Sequence, residues 1–453
     1  MPRKLISFPA AEALRGKTLE GKEIRMKRFF VLLMCLCAVG VAAAEKAPAK
    51  KKAMPKITVV CTPGSHIAGI GEEVRFAVAS DSGEPVQVTV SLDGGPQVFK
   101  EVTVKPPAEV TASLDRPGFL HCLAVSGGTT VRQGVAVAPE KIRYARNAPA
   151  DFTQFWTSAL EESAKLPLDL KLEPVSPHKD YDSFLMSCAN VNGKRAYALF
   201  SRPKVFKGKL PLLVLFGGGE AATNLAAVPG AAMSAKKRLG QDAAVLYLHL
   251  PPYPPAPDRE TAKAVHKEFL KKLGLRRYIL VGMEDPRKFY AYSAILGGLR
   301  LVNAAAALPG IDREKCVFHG ASHGGMIGAY LAYFFPFRAV FLGVPSSCEI
   351  NAFLENRLGS AAREWKDHWE TTEYFDLVYF ADGIRCPVLV GVGFWDRSCP
   401  PTGVYSFYNR IPPGRKQIFN KIHYGHGDGP AGYQELTWEF LARHLAAPAP
   451  ATP

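Results

Sequence analysis

The sequence predicts an α/β protein in which a doubly wound sheet is preceded by a small all-β sandwich of the immunoglobulin-like (Ig-like) kind. Three observations predict it. Residues 57–140 carry short runs of alternating polarity separated by turn residues, with no helical period. From about Lys141, continuous apolar runs alternate with segments of helical period, the texture of buried parallel strands and their crossover helices. Third, Gly320-Ala321-Ser322-His323-Gly324 lies between a strand-like run, Cys316-Val317-Phe318, and a helix-like run from Gly325 to Tyr333. That is the strand–turn–helix context of a nucleophile elbow, where a serine is held on a tight turn above a sheet.

The chain opens on a leader, residues 1–44. Met26-Lys27-Arg28 is a basic n-region, Phe29 to Val41 an apolar core, and Ala42-Ala43-Ala44 a small-residue cleavage site before Glu45. The signal is complete from Met26, which is the expected true start. Its apolar core is too short to cross a bilayer, which favours a cleaved signal peptide over an anchor. The expected location is therefore secreted or periplasmic, with no transmembrane segment after cleavage. Residues 45–56, rich in Ala, Lys and Pro, read as a basic linker.

The all-β segment, 57–140, contains Glu73-Val74-Arg75-Phe76-Ala77-Val78 and Val86-Gln87-Val88-Thr89-Val90 as clear alternating strands. Asp93-Gly94-Gly95-Pro96 and Ser126-Gly127-Gly128 supply turns. No catalytic cluster lies there, so its role is either a carbohydrate- or partner-binding module or a spacer packed on the enzyme. The second segment, 141–445, holds the buried strands Leu212–Phe216, Ala244–Leu248, Ala339–Gly343 and Val388–Val392, and helical periods over Phe289–Leu308 and Tyr433–Leu445. In such a sheet, functional loops gather at the strands' C-terminal ends. Residues 446–453 are Pro- and Ala-rich and read as a disordered tail.

The net charge of +15 does not point to nucleic acid. The leader carries +5 and the linker +4, which leaves +6 for the folded remainder. Of nine cysteines, Cys35 and Cys37 lie in the signal; the remaining odd seven imply at least one free thiol. Cys61 with Cys122 and Cys386 with Cys399 are candidate pairs. No C-x-x-C or His/Cys ligand spacing suggests a metal site.

Ser322 needs a base to take its proton and a carboxylate to orient that base. In an α/β-hydrolase these follow in the order Ser, acid, His, each on a loop after a strand. Asp396 ends the strand Pro387–Phe394 and opens a loop fixed by Pro400 and Pro401; capping the next helix is its alternative role. His423 and His426 both follow the strand-like Gln417–Ile422. His426, between glycines and deeper in the loop, is the stronger base candidate. The oxyanion donors would be the backbone N–H of His323 and those of the glycine run after Phe216, Gly218 and Gly219.

At this point the chain resembles the acetyl xylan esterase / cephalosporin C deacetylase family of carbohydrate esterases, from about Pro149 to Leu445. The motifs that carry the likeness are Asp151-Phe152-Thr153-Gln154-Phe155-Trp156, Gly193 to Tyr197 with Arg202-Pro203, Ser322-His323-Gly324-Gly325, Asp396 with Cys399-Pro400-Pro401, and Tyr424-Gly425-His426. The chain departs from the family at His323, where a glutamine is usual, at Gly427, and at Gly217 and Gly219. The strand at Leu250 also runs into Pro251-Pro252-Tyr253-Pro254-Pro255 in place of an Arg-Gly-Gln turn. The resemblance implies a serine esterase acting on an acetylated oligo- or polysaccharide without cofactor or metal, with Ser322, Asp396 and His426 as its triad. It also leaves oligomerisation open, since family members often form rings. Two alternatives stand beside it: a serine peptidase or other acyl esterase of the same fold, and a glycan-binding protein on a retired hydrolase scaffold.

Overall fold

A computed structural model describes residues 54–175, 177–217, 223–360, 363–427 and 429–447, and these fall in one compact unit. The leader, residues 45–53 of the linker, the tail from Pro448, and both Gly218 and Gly219 lie outside the described residues.

Eight strands occupy the first part: β1 (Ile57–Thr62), β2 (Ile67–Ala68), β3 (Val74–Ser80), β4 (Val86–Leu92), β5 (Val98–Val104), β6 (Ala108–Ala112), β7 (Gly118–Ser126) and β8 (Thr129–Val137). They form a three-stranded sheet, β1-β3-β6, and a five-stranded sheet, β2-β8-β7-β4-β5. Alternation sorts the side chains. Ile57, Val59 and Cys61 of β1 and Val74, Phe76 and Val78 of β3 face inward, where they meet Val86, Val88, Leu120 and Cys122 in one core. Strand β7 breaks the alternation and is buried over most of its length. Its second face is not solvated: Phe119, with Ala136 of β8, belongs to the core of the second segment. Gly127 and Gly128 both adopt positive φ, as the two-residue hairpin between β7 and β8 requires.

The second part runs α1 (Phe152–Lys165), β9 (Lys171–Pro174), β10 (Tyr181–Ala189), β11 (Arg195–Pro203), β12 (Leu210–Phe216), α2 (Val228–Leu239), β13 (Ala244–His249), α3 (Arg259–Lys272), α4 (Tyr290–Ala306), β14 (Ile311–Ala321), α5 (His323–Phe334), β15 (Ala339–Gly343), α6 (Trp369–Glu373), β16 (Val388–Gly393), α7 (Pro401–Arg410), β17 (Lys416–Lys421) and α8 (Tyr433–Ala446). Nine strands make one sheet in the order β17-β16-β15-β14-β12-β13-β11-β10-β9. The six strands that read as apolar runs or follow the helices pair in parallel, while β9, β10 and β11 add an antiparallel edge. That edge differs from a fully parallel sheet because β10 and β11 are joined by a short hairpin, which permits only antiparallel pairing. The chain winds from β12 to β13 on one side and to β14 on the other, so β12 and β14 are adjacent at the switch point. In an open α/β sheet, the strands' C-terminal ends at such a switch point are where functional loops gather.

All seven described cysteines are buried free thiols, so neither candidate disulfide forms. Cys386 and Cys399 flank opposite ends of β16. Six extended residues at about 3.3 Å each set them far beyond the ~7 Å Cα limit for a bridge. Cys61 and Cys122 share the all-β core unbonded, and burial pushes both thiols up to about 12.

Candidate active site

Ser322 sits at the join of β14 and α5 with φ 58 and ψ −120, a conformation that a non-glycine residue holds only under constraint. The constraint is local. Its N–H donates to the carbonyl of Gly343 on β15 at 2.8 Å, and its own carbonyl accepts from Met326 at 3.0 Å and Ser346 at 3.2 Å. The two motif glycines are explained by proximity. A Cβ on Gly320 would lie 2.7 Å from the backbone of Gly324, and one on Gly324 would overlap the carbonyl oxygen of Phe216. Helix α5 can therefore start directly over the sheet.

Asp396, at the end of β16, is fully buried. One carboxylate oxygen accepts from the backbone N–H of Ser398 at 2.8 Å and of Cys399 at 2.9 Å; the other lies 2.9 Å from His426 Nδ1. It does not cap α7, so the alternative role does not apply. His426 follows β17 and is half-buried, with Nε2 2.9 Å from Ser322 Oγ. Three loops, after β14, β16 and β17, thus deliver a continuous hydroxyl–imidazole–carboxylate chain. With Nδ1 donating to Asp396, Nε2 is the nitrogen left to accept the serine proton.

His423 goes elsewhere. It is exposed, with its ring edge-on to His66 at 4.9 Å and Nδ1 3.4 Å from Gln133 Oε1, both partners from the all-β segment. His323 opens α5, where backbone N–H groups have no acceptor within the helix. Its buried ring lies 3.3 Å from the Tyr290 hydroxyl and edge-on to Phe216. At the end of β12, a Cβ on Gly217 would meet the Tyr247 hydroxyl at 2.8 Å, so that loop begins pressed against the sheet.

Sequence reasoning missed Lys421. This buried lysine ends β17 and donates from Nζ to the carbonyls of Gly425 and Gly427, 3.2 Å each, on either side of His426. The sequence held no signal for it: the rest of β17 is only partly buried or exposed, and Lys421 is the strand's one buried residue. It also missed Cys399 as a neighbour of the serine. Burial raises this thiol well above its ordinary value, opposed by hydrogen bonding to Ser360 and Ser322. Asp396, Cys399 and His426 place one ligand-capable atom each within 4.8 Å of one another. Both imidazole nitrogens and both carboxylate oxygens are already engaged, so the cluster is occupied by its own hydrogen bonds.

Comparisons with known proteins bear on the family and the fold. The acetyl xylan esterase (AXE1) family model matches residues 140–444, well over half of the chain. The acetyl esterase Axe7A of Xylanibacter ruminicola is 24% identical over 431 residues, covering 91% of this chain and 96% of its own. That span reaches past the family match into the all-β strands. Among solved structures, an acetyl xylan esterase from a Paenibacillus species is similar at TM-score 0.55 and 19% identity, covering 67% of this chain and 98% of its own. Acetyl xylan esterase 1 from a Thermoanaerobacterium species gives 0.55 and 20%, covering 68% and 98%. The protein is a carboxylic ester hydrolase on an α/β fold. Within that class, the chain belongs to the acetyl xylan esterase family and is an acetyl esterase. Among the described residues no helix is long and apolar enough to cross a membrane.

Proposed function

We propose that this protein is an exported serine esterase that hydrolyses acetyl esters of xylan or related acetylated oligosaccharides through a Ser322–His426–Asp396 triad. The observation that carries the reading is the chain of 2.9 Å contacts from Ser322 Oγ through His426 to Asp396. Ser322 Oγ attacks the acetyl carbonyl carbon while His426 Nε2 takes its proton. The oxyanion of the tetrahedral intermediate accepts hydrogen bonds from the N–H of His323 and from the glycine run at Gly218 and Gly219. Collapse breaks the bond to the sugar oxygen, which leaves as a hydroxyl with the proton from His426. Water then attacks the acetyl-serine, gives a proton to His426, and acetate departs as Ser322 regains it. Asp396 holds the imidazole and stabilises its charged form; no step calls for a cofactor or metal.

Export rests on the Met26–Ala44 signal, and the two-sheet arrangement of β1–β8 supports an Ig-like sandwich. The test is acetate release from acetylated xylo-oligosaccharides by the chain from Glu45, beside Ser322→Ala. Release that disappears in the variant supports triad and substrate together. Cleavage of p-nitrophenyl acetate alone would redirect the search to other acyl esters, the peptidase reading included. Activity on neither substrate would favour a glycan-binding protein on a retired scaffold.

A further inference from the structure

The all-β segment is joined to the second segment at the loops that carry Asp396 and His426. Asp93, in the β4–β5 turn, is buried; its Oδ1 accepts from the Thr402 hydroxyl at 2.9 Å and from the Thr402 N–H at 3.3 Å. Thr402 is the second residue of α7, the helix that follows the Asp396 loop, and α7 has no side-chain cap of its own. Asp93 therefore supplies a helix cap from outside, in the position where a carboxylate also meets the positive end of the helix dipole. Strand β8 touches the same loop from another side. Gly134 lies so close to the Phe394 carbonyl that any Cβ there would overlap it. Phe119 packs edge-on against Phe394 at 5.1 Å and on Tyr405 of α7 at 5.5 Å. Arg132 stacks over Trp395 at 6.0 Å, and that indole lies against Gly425, next to His426. Gln133 and His66 meet His423 at the start of the His426 loop.

We propose that the all-β segment is a structural part of the ester-hydrolysing centre, and that Asp93 is a positioning residue which fixes the Asp396 loop by capping α7. This rests on the reading that Ser322, His426 and Asp396 carry out the hydrolysis. Phe394, Trp395 and Thr402 are gripped from two strands and one turn of the all-β segment, within a few positions of the acid. A spacer would have no reason to favour these loops; the contacts named above gather on one loop pair, and a separate tie runs from Gln97 to the carbonyls of Glu355 and Asn356. Displacement of an orienting group by about 1 Å costs up to ~100-fold in rate, so a loosened loop is visible in kcat.

Deleting the segment would be uninformative, because Phe119 and Ala136 are also core residues of the α/β part. Single substitutions in the full chain are cleaner, with p-nitrophenyl acetate as substrate. Asp93→Ala is expected to lower kcat about tenfold or more with KM little changed. Asp93→Asn keeps an acceptor for Thr402 and is an equally good cap, so kcat returns to within ~3-fold of wild type. Thr402→Val keeps shape and the backbone N–H, and serves if Asp93→Ala does not fold. It is expected to lose kcat in the same direction by less, and combined with Asp93→Ala to add little. Wild-type kcat in folded Asp93→Ala, or in Thr402→Val where the alanine variant does not fold, overturns the proposal, as does an Asp93→Asn variant no better than Asp93→Ala. Ser322→Ala separates the two readings. If it retains activity, the assignment of the site fails first; if it is inactive while Asp93→Ala is normal, only the positioning role fails.

Discussion

Ser322 and His426 meet at 2.9 Å, yet the two loops that bring them there are held in opposite ways. The Ser322 elbow is self-supporting. Its strand, turn and helix are consecutive in sequence, its glycines touch each other and Phe216, and its backbone bonds run to the neighbouring strand β15. The loops of Asp396 and His426 carry internal bonds, such as those from Ser398 and Cys399 to Asp396, but draw further support from far away in the chain. They are tied by Lys421, by Trp395 against Gly425, and by Asp93, Gly134 and Gln133 from more than 250 residues earlier in the chain. A nucleophile can be built from a local motif, whereas its acid and base depend on distant support.

The largest effect that would test this contrast is at the elbow itself. Gly324→Ala places a methyl group onto the Phe216 carbonyl, a backbone atom that cannot turn aside. Helix α5 must lift from the sheet and carry Ser322 and the His323 N–H with it. A fall in kcat of about 100-fold is expected, with weaker labelling by a fluorophosphonate probe. Near-normal labelling in the variant would show that the elbow has slack which the packing denies.

A smaller effect is expected at Lys421. Lys421→Met keeps much of the buried volume but leaves the Gly425 and Gly427 carbonyls without their donor, and at the buried Gly425 the unsatisfied carbonyl costs ~1–3 kcal/mol. The Gly427 carbonyl can turn to solvent, but the Gly425 carbonyl is relieved only if the loop relaxes, and relaxation moves His426. We expect kcat to fall about tenfold and thermal stability to drop with it. Lower stability with unchanged kcat would mean that Trp395 alone is enough to hold the imidazole.

The same contrast governs what was legible in the sequence. The strands β12, β13, β15 and β16 contain the apolar runs that announced them, because a strand buried on both faces has no polar positions to blur the pattern. Ser322 and Asp396 stood out as candidates because each follows such a run, and His426 because it follows the weaker strand-like Gln417–Ile422, in the order expected for this sheet. The support did not stand out. Asp93 sits in an Asp-Gly-Gly-Pro turn that reads as a plain hairpin end, and only the three-dimensional path of β4–β5 brings it to Thr402. The nearly continuous burial of β7 carries the missing information: a sheet strand apolar on both faces must be covered on both. His423 lies away from Ser322, and its contacts with His66 and Gln133 follow from that same docking.

The smallest expected effect is a pair of opposed pH dependences at the junction of the two segments. Burial, reinforced by the charges of Arg397 and Arg132, lowers His121 to about 4. Its folded-state pKa is below that of the unfolded chain, so the stability it contributes is complete above about 6.5 and is lost as pH falls toward 4. Asp93 runs the other way. Burial raises it to about 7, against the hydrogen bonds from Thr402 and the charge of Arg357, with Glu349 adding to the rise. Its folded pKa lies above the unfolded value, so stability is lost as pH rises from about 4 and the loss is complete above about 7. Melting temperatures of each variant minus wild type, taken from about pH 4.5 to 7.5, isolate the two groups because every other titration cancels. For His121→Gln the difference should become more favourable as pH falls; for Asp93→Asn it should become more favourable as pH rises. Flat differences for both would mean that water reaches the junction and that Asp93 and His121 titrate as surface groups. Such a junction would be too loose to hold the Asp396 loop in place.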